Sequence, residues 1–584
     1  MAQPQPVSIG DDDSLADCFA RRCAATPGAV AYRDFDAAAN QWVSTTWAEA
    51  AALVHRMRAA LRGEGLVAGD RVAIMSRNCR EWVLFDQAAH AEGLVVVPLF
   101  ADDRPENVAY IVNDSESRLV LIAGTEQHAR LKEVADRLPG LRRIVCVKPV
   151  EEPGDARVVA LSDWMAKEAT EAPAAKTGGA TLATIVYTSG TTGKPKGVML
   201  SHRNILQNVK AALAVYEVYP DDLFLSFLPL SHMLERMAGC YLTMVAGAQV
   251  AFARSIPQLA EDFKSVRPTV IVSVPRIFER LHGAIQGQLE GAPASKRRLF
   301  EIAHHVGWNL FEWRQGRGPW RASFVLWPVL RALVASKLLE RLGGRLRLCI
   351  SGGAALNPQV AHTFIGLGLP ICQGYGLTEA SPVVSVNLLD RNDPASIGLP
   401  LPGVEVAFGE NEVLRVRGPN VMLGYWRNPE ATARVLDAEG WLDTGDQARM
   451  KGGFLYITGR IKEIIVLGNG EKVPPVDMEL AAQLDPLFEQ VMIVGEGKPY
   501  LAALVVLNAE QSARAGKLDD KAIAARLGAQ LKEFPGYAQV RRVVVSPEPW
   551  TVDNGLLTST LKLRRAEIMK RYAGKIEELY KGHK

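Results

Sequence analysis

The feature that most constrains the fold is the alternation of helical patterns with short apolar runs between residue 13 and about residue 163. Helical stretches such as SLADCFARRCAATP and TWAEAAALVHRMRAALRGEG are separated by the runs RVAIMS, LVVVPLF and RLVLIAG. Strands that alternate with helices pair in parallel, because each helix carries the chain back to the same end of the sheet. Because the alternation resumes in LFLSFLPL, GAQVAFA, PTVIVSVP and RLRLCISGG, the sequence predicts an α/β fold with largely parallel sheets.

The pattern changes after about residue 398. The short β-like pieces VEVAF, NEVLRVRG and GFLYITGR predict a β-rich subdomain, and the runs QVMIVGE and LAALVVLN with the helical stretch DKAIAARLGAQLKEF predict a small α+β domain. A chain of 584 residues is longer than one hydrophobic core usually organises. We therefore predict an N-terminal domain of residues 1–459 and a C-terminal domain of residues 460–584.

Composition excludes several classes of function. The 67 basic residues nearly balance the 64 acidic ones, so charge gives no reason to expect nucleic acid as a partner. The seven cysteines form no CxxC pair, which fits reduced thiols and predicts no structural zinc. The N-terminus lacks the regions of a secretory signal, and the apolar stretch 322–339 is interrupted by Pro328, Arg331 and Lys337. We expect a cytoplasmic protein with no transmembrane segment.

A loop rich in Gly, Thr, Ser and Lys, YTSGTTGKPKGVMLSH at residues 187–202, directly follows the β-like run TLATIVY. A strand that enters a glycine-rich turn can direct backbone N–H groups, hydroxyls and lysines at one phosphate. In the Walker pattern the lysine is followed by Ser or Thr, whereas Lys194 is followed by Pro195. The sequence therefore predicts a phosphate loop of another kind.

Four more motifs pair glycines with a few polar residues: ISGGAAL, QGYGLTEA, GWLDTGD and TGRIKEIIVLGNGEKVPP. Each alone is equally typical of a tight turn. In this order, and with the phosphate loop, they closely resemble the adenylate-forming (AMP-binding) superfamily, which includes acyl-CoA synthetases, luciferases and peptide-synthetase adenylation domains. The resemblance covers nearly the whole chain. It implies a large N-terminal domain, a small mobile C-terminal domain, and the attack of a carboxylate on the α-phosphate of ATP.

The resemblance also assigns the nucleotide-binding residues. The loop would hold the β- and γ-phosphates through Thr188, Ser189, Gly190, Thr191, Thr192, Gly193, Lys194 and Lys196. Small residues would line the adenine and acyl clefts, namely Gly352, Gly353, Ala354, Gly374 and Gly376. Tyr375 would stack on adenine, Asp446 would bind the ribose hydroxyls, and Arg460 would lie near the nucleotide.

The catalytic assignments follow in the same way. Thr378 would contact the α-phosphate, while Glu379 and Thr188 would hold Mg²⁺, and Lys562 would bridge the acyl carboxylate and the α-phosphate. His232 would line the acyl pocket and take part in thioester formation. Lys462 would be the hinge between the domains. From the residues alone, Glu379 could equally begin a helix, Lys562 could belong to a basic surface strand, and His232 could be a core or capping residue.

The stretches LPLSHMLER and PTVIVSVPRIFERL and an insertion at residues 296–345 resemble bacterial long-chain fatty acyl-CoA synthetases. The resemblance implies a fatty acid, ATP and CoA as substrates and free acyl-CoA as product, since no carrier domain follows Lys562. Two alternatives stay open: an aryl or medium-chain acid–CoA ligase, and a non-catalytic nucleotide-binding protein. The sequence determines neither the chain-length preference nor the oligomeric state.

The insertion is also rich in basic and aromatic residues. Residues 312–347 contain eight Lys or Arg against two Glu, together with Trp313, Trp320, Phe324 and Trp327. Basic residues beside aromatic ones suit an anionic membrane surface. We therefore expect peripheral contact with the inner membrane face through residues 296–345. The alternative is a set of helices packed on the main domain with a solvated basic face.

Overall fold

The computed structural model describes residue 3 and residues 5–151, 154–165, 175–188, 194–460, 464–516, 518–558 and 561–581. Its strands are β1 Val30–Asp36, β2 Gln41–Thr46, β3 Arg71–Met75, β4 Val95–Leu99, β5 Ser117–Ile122, β6 Arg143–Cys146, β7 Val158–Ala160, β8 Leu182–Thr188, β9 Lys196–Ser201, β10 Leu223–Ser226, β11 Gln249–Phe252, β12 Val270–Ser273, β13 Leu348–Ser351, β14 Ile371–Gly376, β15 Val383–Val386, β16 Leu399–Pro400, β17 Glu405–Phe408, β18 Val413–Arg417, β19 Gly424–Tyr425, β20 Leu442–Lys451, β21 Phe454–Arg460, β22 Ile465–Val466, β23 Lys472–Val473, β24 Phe488–Val494, β25 Leu501–Leu507 and β26 Val540–Val545.

The α-helices are α1 Leu15–Ala25, α2 Trp47–Gly63, α3 Arg80–Ala91, α4 Pro105–Asp114, α5 Thr125–Lys132, α6 Leu161–Trp164, α7 His202–Leu213, α8 Met233–Glu235, α9 Thr243–Ala246, α10 Leu259–Val266, α11 Pro275–Glu290, α12 Ala294–Arg314, α13 Trp327–Leu330, α14 Ser336–Leu339, α15 Pro358–Gly366, α16 Pro429–Ala433, α17 Pro475–Ala482, α18 Ala509–Ala515, α19 Asp520–Gln530, α20 Arg565–Arg571 and α21 Ala573–Tyr580. Several begin at a reciprocal side-chain cap, as at Ser14 with Asp17, and at Thr46 with Glu49.

Two large sheets form the N-terminal part of the molecule. The first has the order β19-β9-β8-β4-β3-β5-β6-β7 and is parallel from β8 to β7. Its central strands are almost wholly apolar because helices cover both faces. The antiparallel hairpin β8–β9 adds the phosphate loop to one edge.

The second sheet has the order β16-β15-β14-β13-β12-β10-β11-β1-β2 and is parallel from β14 to β1. One continuous core joins it to the first sheet, and a separate core covers the first sheet's other face. The chain's first hairpin, β1–β2, lies at the far edge of this sheet. The sequence analysis did not anticipate that placement, because β1 pairs with β11, which follows it by more than 200 residues.

The residues after the second sheet form the predicted β-rich subdomain, an antiparallel sheet with the order β17-β18-β20-β21. The C-terminal part is a three-stranded sheet, β24-β25-β26, with its own apolar cluster on each face. The sequence predicted β24 and β25 but missed β26. The predicted α/β class, with its small α+β C-terminal unit, is confirmed. The predicted boundary at residues 459–460 lies at the C-terminal end of strand β21.

The insertion contains α12 followed by a continuous helical run, Ala322–Leu342. This run has a mean hydropathy of 1.5 over 18 residues, and by length and composition alone it is apolar enough to cross a membrane. No such segment was expected from the sequence, because Pro328, Arg331 and Lys337 interrupt the apolar stretch. The mean hydropathy of the run is high in spite of these three residues. Within the run, 3₁₀ and π geometry flank the short helix α13.

Candidate active site

The hairpin β8–β9 positions the phosphate loop. Thr188 ends β8 and pairs with Lys196 at the start of β9. Lys194 Nζ lies 5.3 Å from the ring centroid of Tyr110, and Lys196 Nζ lies 5.0 Å from that of Tyr425. The Nζ atoms of the two lysines therefore lie over aromatic rings, at the residues where the chain leaves the phosphate loop. The assigned residues Ser189, Gly190, Thr191, Thr192 and Gly193 lie outside the described residues.

The GYG motif forms the end of β14, where the backbone leaves no space for larger residues. A Cβ on Gly376 would lie 2.0 Å from the carbonyl oxygen of Pro382, and one on Gly374 would lie 3.1 Å from Val386 Cγ1. Glycine at these positions therefore allows β15 to lie close against β14. It also places Tyr375 at the carboxyl end of a parallel strand, which is where α/β sheets bind ligands.

Tyr375, Asp446 and Arg460 form one hydrogen-bonded group. Tyr375 Oη donates to Asp446 Oδ2 at 2.6 Å, and Arg460 Nε donates to Asp446 Oδ1 at 2.7 Å. Asp446 and Arg460 are paired across β20 and β21, so the sheet register itself creates the ion pair. Burial and the neighbouring carboxylate raise the pKa of Tyr375, which stays a hydrogen-bond donor. A carboxylate oxygen has two lone pairs, so Asp446 retains the capacity to accept from ribose hydroxyls.

Thr378 and Glu379 lie in the 3₁₀ turn that follows β14. Tyr425 Oη donates to Glu379 Oε1 at 2.8 Å, and the backbone N–H of Met422 donates to the carbonyl of Glu379 at 2.8 Å. Burial and this carboxylate raise the pKa of Tyr425 above its usual range. Tyr425 thus fixes the orientation of Glu379. The sequence analysis missed it, because only the pairing of β19 with β9 brings it here.

These residues fit a magnesium ion that arrives with the phosphates of ATP. Mg²⁺ prefers oxygen ligands and is usually held by one or two carboxylates plus phosphate oxygens rather than by an all-protein cage. The turn that carries Glu379 packs against β9, next to the strand that ends at the Thr188 hydroxyl. Among the described residues, no three His, Cys, Asp or Glu side chains form a metal-binding group.

The SGG turn and the helix after His232 form the neighbouring wall. Gly353 has a φ of +81°, a left-handed conformation that glycine adopts without strain. A Cβ on Gly352 would lie 3.0 Å from Leu234 Cδ2, so this turn lies directly against α8. His232 is the N-cap of α8, and its Nδ1 accepts from the backbone N–H of Leu234 at 3.2 Å. His232 therefore has the capping role that the sequence left open as an alternative. Because Nδ1 faces the helix, Nε2 points away from it.

Lys562 extends from the C-terminal domain towards this wall. Burial, and to a smaller extent the Lys562 ammonium, lower the pKa of His232 to about 4. The imidazole is therefore neutral at physiological pH. Lys562 lies in a short loop in which its backbone N–H donates to Thr558 Oγ1 at 3.0 Å. Lys562 of the C-terminal domain is thus close enough to His232 of the N-terminal domain for its charge to act on that imidazole.

A buried polar network, missed by the sequence analysis, anchors α8 and the helical turn after it. Arg236 NH1 donates to Thr184 Oγ1 at 2.8 Å, and its NH2 forms an ion pair with Asp86. Tyr241 Oη donates to Asp86 Oδ2 at 3.0 Å. Burial raises the pKa of Asp86, but Arg236 and His90 outweigh burial and hold it below its usual range. The sequence around Arg236 does not indicate that this arginine is buried, because its partner Asp86 lies 150 residues earlier in the chain.

Glu235 is buried beside this network but is not part of it. Among the described residues, none donates a hydrogen bond to its Oε2. Burial raises the pKa of Glu235 to about 8, with a smaller opposing effect from Ser226. Its carboxyl group packs over Gly239, where a Cβ would lie 2.5 Å from Oε1. Glu235 is therefore a protonated acid at neutral pH.

Comparison with known proteins agrees with this arrangement. Residues 19–426 match the model of the AMP-binding enzyme family, and residues 462–584 match that of the AMP-binding enzyme C-terminal domain. Long-chain-fatty-acid–CoA ligase FadD15 of Mycobacterium tuberculosis is 33% identical, across 99% of this chain and 98% of that protein. Long-chain-fatty-acid–CoA ligase 1 of Homo sapiens is 32% identical, across 87% of this chain and 78% of that protein.

Solved structures share the fold at lower identity. The A domain of carboxylic acid reductase from Segniliparus rugosus superposes with a TM-score of 0.78 at 23% identity, across 97% of this chain and 94% of that one. The anthranilate CoA ligase AuaEII superposes with a TM-score of 0.75 at 18% identity, across 96% of this chain and 98% of that one. From the matched family models and full-length relatives, the chain belongs to the AMP-binding enzyme family.

Proposed function

We propose that this protein is a long-chain fatty acid–CoA ligase. It activates the acid with ATP to an acyl-adenylate and pyrophosphate, then transfers the acyl group to CoA and releases AMP. The observation that carries the proposal is the position of Lys562. Its ammonium group lies near enough to His232 to lower the pKa of that imidazole, His232 caps the helix that packs on the SGG turn, and Asp446 accepts a hydrogen bond from Tyr375.

The chemistry needs this arrangement because a carboxylate is a poor electrophile until it is joined to a good leaving group. The Lys562 ammonium can hold the acid's carboxylate near the α-phosphate and stabilise the charge that moves onto the phosphate oxygens. Tyr375, Asp446 and Arg460 orient the nucleoside. In the second step the thiolate of CoA attacks the acyl carbonyl, the C–O bond to AMP breaks, and AMP leaves with the electron pair.

His232 is proposed to line the acyl side of this centre. Because Nδ1 accepts the α8 cap, the proton of the neutral imidazole lies on Nε2, and Nε2 is therefore a hydrogen-bond donor. We assign His232 to the thioester step rather than to adenylation, because Nε2–H can donate to the acyl carbonyl oxygen while the CoA thiolate attacks. Glu379 and Thr188 are proposed to hold Mg²⁺, which neutralises phosphate charge when bound.

The long-chain assignment rests on the relatives. FadD15 and human ligase 1 are both named long-chain-fatty-acid–CoA ligases, and the first aligns over almost its full length. We propose a cytoplasmic location, supported by seven cysteines that are all free thiols. The rival assignments remain an aryl or medium-chain acid ligase and a non-catalytic nucleotide-binding protein.

A pyrophosphate-release assay with ATP, Mg²⁺ and a panel of acids separates these possibilities. We expect release that depends on the acid and is fastest with long-chain fatty acids, and we expect acyl-CoA to form only when CoA is added. Faster release with aryl or medium-chain acids would replace the long-chain assignment. Tight ATP binding without pyrophosphate release from any acid would refute the enzyme assignment altogether.

A further inference from the structure

The helical run Ala322–Leu342 carries a row of large apolar side chains in solvent. We call it the apolar ridge, and it consists of Trp320, Val325, Leu326, Val329 and Leu333. Val325, Val329 and Leu333 recur every four residues, which places them on one side of a helix. Their exposed fractions are 73%, 59% and 49%. Single exposed apolar residues are ordinary, but a contiguous group marks an interaction surface.

The opposite side of the same run is firmly packed. Phe324 and Leu330 form an apolar cluster with Val306 and Leu310 of α12. The Trp327 ring covers α12 so closely that a Cβ on Gly307 would lie 2.6 Å from it. The ridge is therefore held outward by a packed core, and its exposure does not come from a loosely attached segment.

Basic residues surround the ridge. The exposed ones are Arg314, Arg321, Arg331, Lys337, Arg341 and Arg345. Of the two acidic residues in this region, Glu312 is already paired with Arg317 at 2.6 Å. Positive charge around apolar side chains complements an anionic lipid surface, where each basic residue near the headgroups adds attraction.

The geometry favours a helix that lies on the bilayer over one that crosses it. Phe324 and Leu330 are buried against α12 and are not available to lipid. Arg331 stands near the middle of the run, and a charge at the bilayer centre is costly. An apolar face with a basic border is instead the pattern of an interfacial helix.

We propose that the apolar ridge docks this protein onto an anionic phospholipid bilayer, with its side chains at the boundary between headgroups and acyl chains. The ridge is joined to the active site by a short packed path. It rests on α12, α12 packs on α15 through His304 and His362, and α15 follows the SGG turn. Docking therefore brings the acyl side of the centre to the surface in which a long-chain acid dissolves.

The test is co-sedimentation with vesicles of phosphatidylcholine alone and of phosphatidylcholine mixed with phosphatidylglycerol. We expect the full-length protein to bind the mixed vesicles at low salt, and binding to weaken as salt rises. The variant Val325→Glu/Val329→Glu should lose about tenfold or more in affinity, because it places two charges in the inserted face. Both side chains are exposed, so folding should be retained, which the thermal unfolding midpoint checks.

The matched control is Val67→Glu, because Val67 is 66% exposed but lies far along the chain from the ridge. This variant should bind vesicles as the unchanged protein does. A second readout uses brominated lipids, which should quench tryptophan fluorescence less after Trp320→Phe.

Three results would overturn the proposal. The first is no binding of the unchanged protein to the mixed vesicles, and the second is equal binding by the ridge variant. The third is a dimer in buffer that becomes a monomer in the ridge variant, without vesicle binding in either. That outcome would assign the ridge to a second copy of this chain. Because each readout is binding and not turnover, failure here is distinguishable from failure of the proposed activity.

Discussion

The buried acid Glu235 should make the stability of the N-terminal domain depend on pH, and Glu235→Gln should remove that dependence. Gln has the same shape as protonated Glu but does not titrate. Glu235 is 2% exposed and Oε2 has no donor among the described residues, so the pKa of about 8 reflects burial of the charge.

The sign and size follow from linkage. Below the reference pKa of 4.5 the carboxyl is protonated in both folded and unfolded chains, so pH has no effect. Between pH 4.5 and 8 only the unfolded chain releases the proton, and the free energy of unfolding falls by about 1.4 kcal/mol for each pH unit. Glu235 therefore costs about 3 kcal/mol at pH 7, and the cost levels off at about 5 kcal/mol above pH 8.

The assay is urea unfolding of the unchanged protein and of Glu235→Gln at pH 5, 7 and 8.5, followed through the transition of the N-terminal domain. An unpaired amide group costs about 1–3 kcal/mol, and that penalty does not change with pH. The informative quantity is thus the difference between the two proteins as pH rises, which should grow in favour of Gln. Exposed Glu133→Gln is the control. A difference that stays constant from pH 5 to 8.5 would refute the reasoning.

Three further predictions concern the reaction. Lys562→Ala should reduce acid-dependent pyrophosphate release by about 10²–10³-fold while leaving thioester formation from supplied acyl-adenylate largely intact; equal loss of both would contradict this division. Glu379→Gln should raise the Mg²⁺ concentration needed for half-maximal adenylation by about tenfold, and Tyr425→Phe by less, because the carboxylate remains; an unchanged Mg²⁺ requirement would remove Glu379 from the metal site. Lys462 lies outside the described part of the chain. The variant Lys462→Pro should retain pyrophosphate release and lose most acyl-CoA formation when the two half-reactions are measured separately. Normal rates of both half-reactions would place the pivot elsewhere.

The fold was largely predictable because its sheets are built from local signals. Apolar runs such as RVAIM and VVVPL lie between amphipathic helices, and a parallel sheet buried on both faces needs that pattern. Among the strands that escaped prediction, β1 and β26 pair with strands distant in sequence, and β2 pairs only with β1. Their own residues carry a weaker pattern, since β1 and β2 lie at a sheet edge with partly exposed faces.

The site residues also fall into two groups, those that belong to a recognisable sequence motif and those that do not. Motif residues such as Tyr375, Asp446 and Lys562 were named from the sequence; the structure joins Tyr375 to Asp446 by a hydrogen bond, and the charge of Lys562 acts on His232. The residues that orient them were not named. Tyr425 contacts Glu379 only because β19 pairs with β9, and Arg236 contacts Asp86 across the core. The sequence around Tyr425 and around Arg236 therefore contains no motif that would identify either contact.

The position of Lys562 also explains why the C-terminal domain must be able to leave. In this arrangement its ammonium lies beside His232, where the thiol of CoA must later approach the acyl carbonyl. One ion pair between the two domains joins Arg130 and Asp553 at 3.9 Å, and the Asp553 side chain is largely exposed. Exposed pairs of this kind contribute about 0–1 kcal/mol. The large apolar cores lie within each domain rather than between them, so separation of the domains leaves both cores intact. We expect a docked arrangement for adenylation and a released one for thioester formation, with the bound nucleotide shifting the balance between them.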